Sequence, residues 1–223
     1  MKSRTLYNFI RDAIVTVPEV KPFLSAQALK AAGDYPSIRE NYWAEMYDAV
    51  SGYLDGKGKV TAYRNKASIA MSEAFNDSAY TGWEEVGAEF PLDDETTAWL
   101  NERIGTEREF IVQMFERLKA GRETLDYAAE AIARADVYTK TLDGIYAEAK
   151  MRGAQNATLI FEGDDGAESC PDCQRMKGKK HTIKYILANN LIPKPGNDNY
   201  QCKGFRCMHY WKNPKTGEVY GGQ

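Results

Sequence analysis

Four cysteines and one histidine are grouped near the C-terminal end of the 223-residue chain. Cys170 and Cys173 form a Cys-x2-Cys pair, and after 28 residues Cys202 and Cys207 follow with His209 in a Cys-x4-Cys-x-His group. Two thiolates separated by two residues can face one ion from the same tight turn, and Zn²⁺ takes four such ligands at about 2.3 Å. The spacing therefore predicts a zinc site.

Five candidate ligands exceed the four places of a tetrahedral zinc ion. We expect the four cysteines to bind the ion, with His209 as the substitute for Cys202 or Cys207. His181 lies in a lysine-rich segment and is expected to face the solvent. A redox Cys-x-x-Cys pair and free buried thiols are the alternatives to zinc.

The surrounding sequence favours a structural over a catalytic metal. A catalytic zinc keeps one position open for water and has a general base nearby. The deaminase pattern, His-x-Glu before Pro-Cys-x-x-Cys, is absent, because no histidine precedes His181 and Ser169 stands before Cys170. The His-Glu-x-x-His motif, the nucleophile elbow and the phosphate loop are absent too. We expect no enzymatic activity, and a metalloenzyme is the least favoured alternative.

The charge is divided unevenly along the chain. The net charge is −3, yet residues 174–215 carry ten Lys or Arg against one acid, Asp198. This asymmetry suggests that the C-terminal end meets nucleic acid or an acidic protein, or that it pairs with the acidic remainder of the chain. The candidate contact residues are Arg175, Lys177, Lys179, Lys180, Lys184, Lys203 and Arg206.

The composition is that of a folded globular protein, with 43% hydrophobic and 12% aromatic residues. No segment has the roughly 18 apolar residues that a membrane helix needs. Arg11 and Asp12 interrupt the apolar run near the N-terminus, which argues against a signal peptide. We expect a reducing cytoplasm, where closely spaced cysteines bind metal more often than they form disulfides.

The elements before the cysteines are predicted to be helices. Apolar residues recur at three- and four-residue steps from Ile38 to Tyr53 and from Tyr63 to Phe75, where Asn76-Asp77-Ser78 signals a turn. A third helix is expected from Asp93 or Asp94 to Gly121, with a break or kink at Gly105. A shorter helix is expected over residues 5–15.

The helix predicted from about Thr124 to Arg152 carries a heptad seam with spacings of 3 and 4 residues. A partner helix would pack on this seam, either in the same chain as an antiparallel hairpin or in another subunit. The seam residues are Leu125, Ala128, Ile132, Ala135, Thr139, Leu142, Tyr146 and Ala149.

The character of the sequence changes after Gly153. Ala157 to Phe161 is a short β-favouring run, followed by the cysteine groups and loops rich in Pro and Gly. We predict a mainly α fold in two domains: an acidic helical body with long helices over residues 1–155, and a small basic zinc-stapled α+β module over residues 156–223. The module has too few large apolar residues to fold without a metal.

The order of these motifs resembles the C-terminal half of phage head-morphogenesis (minor head) proteins. Their pattern is an Ala-Arg-Thr-Glu helix, a Cys-x-x-Cys pair, a hydrophobe-x-Gly-Lys step, a Pro-containing loop and a final Cys-x-Cys-like group. Here the helix carries Ala133-Arg134-Ala135-Asp136, the step is Met176-Lys177-Gly178-Lys179, and Cys207-Met208-His209 stands at the final group. The similarity covers residues 95–211, and Asp136 shortens the usual carboxylate by one methylene.

The resemblance implies a structural protein of the virion head, with the host cytoplasm as its place of assembly. Such proteins associate with the portal vertex or other capsid proteins in an oligomeric assembly and sometimes contact the packaged DNA. The alternative is a zinc-ribbon-like nucleic-acid-binding or regulatory protein. It would use the same basic segment, with Tyr200, Phe205, Tyr210 and Trp211 as stacking surfaces.

Overall fold

The computed structural model describes residues 34–56, 58–91, 93–121, 126–163, 169–193, 197–204 and 207–220. These residues form two compact units. The first holds the described residues up to Asp77 and from 93 to Thr139, and the second holds Ser78–Pro91 and the chain from Lys140 onward. Within these described parts, each helix lacks the continuous apolar length that a bilayer crossing requires. The helix predicted over residues 5–15 lies outside the described residues.

The described elements confirm a mainly helical fold with a small antiparallel sheet near the C-terminus. Four long helices come first: α1 (Tyr35–Leu54), α2 (Val60–Glu85), α3 (Asp94–Gly121) and α4 (Tyr127–Gly153). The shorter elements follow as β1 (Thr158–Gly163), α5 (Pro171–Met176), β2 (Lys180–Thr182), α6 (Ile183–Ala188), β3 (His209–Lys212) and β4 (Val219–Tyr220). The predicted division at residue 155 stays a prediction.

The first unit is a helical core whose buried residues follow the predicted periodicity. Asp34 caps α1 by accepting a hydrogen bond from the Ser37 N–H at 2.9 Å. Asp93 caps α3 in the same way, because its Oδ1 accepts from the Thr96 N–H at 2.7 Å. Helix α3 runs without interruption through Gly105, so the predicted break there is wrong.

Helix α2 continues past the predicted turn at Asn76-Asp77-Ser78. The side chain of Asn76 donates to the Ser72 carbonyl at 2.6 Å, one helical turn back. The apolar period also resumes after the turn signal, with Ala79, Tyr80 and Trp83 all buried. Burial of this second apolar stretch outweighs the turn preference of three polar residues, so the prediction of a turn was wrong.

The predicted seam on α4 is correct in part. Ala135, Thr139, Leu142 and Ala149 are buried, but Ile132 is 45% exposed. Leu125 lies outside the described residues. A straight α-helix repeats every 3.6 residues and drifts away from a strict heptad. Ala131 is therefore buried in place of Ile132, and the side chain of the seam residue Ala128 lies outside the described part of the structure.

The N-terminal half of α4 packs within the first unit. The Trp43 indole N–H on α1 donates to Asp136 Oδ1 at 2.7 Å, which gives the carboxylate of the Ala-Arg-Ala-Asp motif a fixed contact. Ala131, Ala135 and Tyr138 are buried in the single chain. The partner of this part of the seam is therefore in the same chain.

Replacing Ala135 by Glu should unfold the first unit. The side chain is fully buried, so the change places an unpaired carboxylate in the core and overpacks it, at a cost of about 3 kcal/mol in unfolding free energy. Ile132→Glu, three residues away on the exposed side, is the control and should cost less than about 0.5 kcal/mol. Urea titration followed by circular dichroism measures both. Equal stability of the two variants would show that the stripe is assigned to the wrong face.

The second unit is built on the four-stranded antiparallel sheet, in the order β2-β1-β3-β4. Leu159 pairs with His181, and Phe161 pairs with Trp211. Because side chains alternate along a strand, these four residues lie on one face of the sheet. Leu159, Phe161 and Trp211 are fully buried there, and the core also contains Ile183, Ile186, Ile192, Tyr200 and Met151.

Two close contacts join the helical ends of the second unit. A Cβ added to Gly82 on α2 would lie 2.7 Å from the Tyr146 carbonyl oxygen on α4, so only glycine fits between the two backbones. The buried ammonium of Lys150 forms ion pairs with Glu85 and Glu218. The turn before β4 is thereby connected to both helices.

Gly82→Ala should destabilise the second unit because the added methyl group forces α2 and α4 apart. We expect a loss of about 1–3 kcal/mol in unfolding free energy. Gly144→Ala is the matched control, since it is also helical but its Cβ would meet nothing within 4 Å. That variant should gain roughly 0.5–1 kcal/mol from the higher helix propensity of alanine. Thermal unfolding measures the change in stability of both variants. A change of the same sign in both would contradict the close approach of the α2 and α4 backbones.

Candidate metal centre

The structure brings the five predicted ligands together in the second unit. The ligand atoms of Cys170, Cys173 and Cys202 lie within 4.8 Å of one another, and so do those of Cys173, Cys207 and His209. Cys173 belongs to both groups, and its Sγ lies 3.4 Å from that of Cys207. A tetrahedral ion with metal–sulfur distances near 2.3 Å has its sulfur atoms about 3.8 Å apart. The cluster therefore has the size of a single metal site.

Helix α5 positions the first cysteine pair. Cys170 is its N-cap residue and Pro171 occupies the first turn, where the fixed φ of proline suits a helix start. The carboxylate of Asp172 accepts a hydrogen bond from the Gln201 N–H at 2.7 Å. This bond connects the turn that carries Cys170 and Cys173 to the segment that carries Cys202.

Phe161 on β1 positions the second group of ligands. Its ring stacks on the imidazole of His209, with centroids 5.5 Å apart and planes within 6°. Tyr200 stacks at 6.3 Å and Trp211 meets the ring edge-on at 5.0 Å. Gly163 has φ +150, and a Cβ there would lie 2.6 Å from His209 Cα. Glycine thus allows β1 to approach β3 at the ligand position.

The loop before the second cysteine group is held by buried polar contacts. Asn197, which is 2% exposed, donates to the carbonyls of Asn190 and Ile192 at 2.7 Å each. The Leu191 carbonyl accepts from the Tyr200 hydroxyl at 2.7 Å and from the Trp211 indole at 2.6 Å. The segment that leads to Cys202 is therefore fixed from both sides.

All four cysteines are free thiols, and their crowding opposes simultaneous ionisation. Burial and the neighbouring thiols of Cys170 and Cys207 raise the pKa of Cys173 far above its ordinary value. Burial is also the first cause of the raised pKa of Cys202. For Cys170 burial acts in the same direction, but hydrogen bonds at the cluster outweigh it and lower the pKa.

This donor set can hold a metal ion. Thiolate and imidazole ligands suit Zn²⁺ and other soft or borderline cations, in contrast to the oxygen ligands that Ca²⁺ and Mg²⁺ prefer. The two groups share Cys173, so a single ion near that thiolate is the simplest arrangement. Five ligands for four places leave the choice between His209 and a cysteine to experiment.

The basic residues predicted as contacts fall into two classes. Arg175 forms an ion pair with Asp172, and Lys203 forms one with Asp198 at 3.5 Å. Lys177, Lys179, Lys180 and Lys184 are exposed. Arg206 lies outside the described residues.

The predicted aromatic surfaces need correction. Tyr200 and Trp211 are buried in the core of the unit, so neither is a stacking surface. Tyr210 is half-buried, and Phe205 lies outside the described residues. His181 is half-buried too, because its ring packs between Tyr185 and Trp211. The expectation that it faces the solvent was therefore wrong.

No model of a known protein family, no curated protein and no solved structure matches the chain.

The ligand choice can be tested by comparing Cys207→Ala with His209→Ala. Cys207 contacts the shared ligand Cys173 directly, so its loss should lower metal content to below roughly a tenth of the wild-type value. If His209 is a bystander, His209→Ala should keep the metal, as should the control His181→Ala. Metal analysis of freshly purified reduced protein measures all three, and circular dichroism checks folding. Loss of metal in both of the first two variants would make Cys202 the spare ligand.

Proposed function

We propose that this chain is a non-enzymatic structural protein of the phage head, and that one zinc ion holds its C-terminal unit together. The observation that carries the proposal is that four cysteines and His209 form two groups of neighbouring ligand atoms that share Cys173 inside that unit. Zinc is the preferred ion because it takes tetrahedral sites made of thiolates with or without imidazole. The site residues come from α5, from the loop after Asn197 and from β3.

A structural role is supported by the number and burial of the candidate ligands. Five candidate ligands exceed four coordination places, so the protein itself can fill the ion's first shell and leave no position for substrate water. Cys173, Cys207 and His209 are at most 4% exposed. Phe161, Tyr200 and Trp211 pack beside them. The ion would therefore add to the stability of a unit whose hydrophobic core is small.

The head-assembly part of the proposal is supported by the order of motifs along the fold. The Ala-Arg-Ala-Asp motif lies on the long helix α4, which ends at Gly153 and is followed by strand β1. The Cys-x-x-Cys pair begins α5, and Gly178-Lys179 leads into β2. This is the sequence of elements that the resemblance to minor head proteins implies. The expected partners are the portal or other capsid proteins, and the expected place is the virion head.

A zinc-binding protein of nucleic-acid regulation is the second candidate function. The observation that favours it is the stretch from Cys173 to Asn197, which contains six Lys or Arg and no acid. Such a stretch suits a phosphate backbone. This candidate shares the zinc site with the first and differs from it in its partner.

Two measurements test the leading proposal. Purified protein should contain close to one zinc per chain, and chelation should unfold the second unit, because ligand binding and folding are coupled in such sites. Cys173→Ser should lose the metal, whereas the exposed neighbour Gln174→Ala should keep it. Zinc-free protein with an intact second unit would contradict the structural role of zinc.

The location is tested on particles assembled in cells that carry the complete set of head genes. Mass spectrometry of purified heads should find the wild-type chain at a few copies per particle. Cys173→Ser should be missing from heads, while Gln174→Ala should be incorporated normally. If wild-type chain with full zinc content is absent from heads, the head-assembly proposal is wrong and the zinc assignment still stands.

A further inference from the structure

Three lysines near β2 differ from several basic residues of the second unit that form ion pairs. Arg175, Lys203 and Lys212 each form an ion pair, with Asp172, Asp198 and Glu162 respectively. In contrast, no described carboxylate pairs with Lys179, Lys180 or Lys184, and all three are exposed. Their charges are therefore available to an external partner, and they fall within six consecutive residues.

An exposed aromatic ring lies among these lysines. Tyr185 follows Lys184 on α6 and is 48% exposed. One face of its ring stacks on His181, with centroids 4.5 Å apart and planes within 17°. His181 in turn meets the buried Trp211 edge-on at 5.9 Å. The exposed ring is thus held in place by a connection to the core, while about half of the side chain remains accessible to a ligand.

The position of these residues on the sheet makes them accessible together. Among the described strands, β2 lies at the edge of the sheet and pairs with β1 alone. Lys180 and His181 are adjacent on β2, so their side chains point to opposite faces of the sheet. Lys184 and Tyr185 begin the helix that follows directly. A flexible strand that wraps around this edge can reach Lys180 on one face and the ring stacked on His181 on the other.

The combination of unpaired lysines and a supported ring is typical of single-stranded nucleic-acid sites. Phosphates attract the lysines, and an unpaired base can stack on an aromatic face regardless of its identity. An acidic peptide would use the lysines but has no need of the ring. A duplex would also use the lysines, but its bases are already stacked and not available to Tyr185.

We propose that Lys179, Lys180, Lys184 and Tyr185, here called the basic edge, bind single-stranded nucleic acid, with one base stacked on Tyr185. The proposal extends the proposed function by naming a partner for the zinc-stapled unit. It requires the unit to be folded but does not depend on location in the virus head.

The test uses full-length zinc-loaded protein and a fluorescent 20-nucleotide oligothymidine, followed by anisotropy at several salt concentrations. Tyr185→Ala should weaken binding roughly tenfold, because stacking contributes on that order per base. Tyr185→Phe keeps the ring and should bind within about twofold of wild type. Lys180→Ala with Lys184→Ala should reduce the slope of log affinity against log salt by about 1.4, at roughly 0.7 per phosphate contact.

Lys215→Ala is the matched control. Lys215 is an exposed lysine of the same unit, in the turn between β3 and β4 at the other edge of the sheet, and its loss should leave affinity unchanged. Zinc content and circular dichroism of every variant exclude unfolding as the cause of weaker binding. A 20-base-pair duplex and polyglutamate serve as competitors, and both should compete at least about tenfold less well than oligothymidine.

The other outcomes overturn the proposal. If Tyr185→Ala binds like wild type, or if duplex or polyglutamate competes equally, the edge is a general polyanion surface. If wild type does not bind at all, the lysines only solubilise the protein. In these cases zinc content and incorporation into heads still decide the proposed function separately.

Discussion

Cys173 is the residue on which the second unit depends most. It is 1% exposed, belongs to both groups of ligands and contacts Cys207 at 3.4 Å. Through it, the first turn of α5 meets the start of β3, two segments more than 30 residues apart in sequence. The burial that raises its pKa also means that a thiolate here requires a cation close by. A bound metal ion would satisfy that requirement and would also link the two segments of the chain.

Strand β1 connects the candidate metal ligands to the rest of the sheet. Its inner face presents Phe161 to His209, Tyr200 and Trp211, so the ligands and the apolar core are in direct contact. The backbone of Phe161 also accepts from the Gly178 N–H at 2.8 Å and donates to the Lys179 carbonyl at 2.9 Å. One residue therefore connects the metal ligands, the hydrophobic core and the start of β2.

The sequence allows some of this fold to be predicted, and the reason lies in the range of the interactions. The cysteine spacing and the long apolar periods are local signals. The cysteine cluster and the long helices lie where these signals predict them. The prediction of a turn at Asn76-Asp77-Ser78 was wrong because burial of Tyr80 and Trp83 outweighs the preference of these three polar residues for a turn. Ile132 was misassigned because a strict heptad and a 3.6-residue helix diverge over several turns.

Other features were missed because they join residues far apart in sequence. Asp172 bonds to the Gln201 N–H, and Asn197 bonds to the carbonyls of Asn190 and Ile192. The four asparagines between residues 189 and 199 were the available signal for the contacts of Asn197. A buried asparagine can donate to and accept from backbone groups. Trp211 was predicted to be an exposed ring but is buried, and Tyr185 is exposed but was not predicted. Which face of the sheet Trp211 occupies depends on strand register, which residue spacing does not determine.

The arrangement of charges follows from the same connections. Acidic residues neutralise the cations nearest the cluster, as Asp172 does for Arg175 and Glu162 does for Lys212. Thiolates bound to zinc would remove further positive charge there, about two units for four cysteines and one ion. Among the described residues, the basic edge keeps three exposed lysines, Lys179, Lys180 and Lys184, at the end of β2.

The basic edge is connected to the candidate metal ligands. Between Cys173 and β2 the chain makes a short turn, in which the Lys177 N–H donates to the Cys173 carbonyl at 3.0 Å and the Lys179 N–H to the Met176 carbonyl at 3.0 Å. His181 then packs against Trp211, which lies two residues after the ligand His209. If an ion binds at the cluster as we propose, its removal would loosen both the turn after Cys173 and the strand that carries His209 and Trp211. The position of the lysines and Tyr185 depends on these two segments. In our proposal, a bound ion would therefore affect recognition as well as folding, although the candidate ligands are different residues from those of the basic edge.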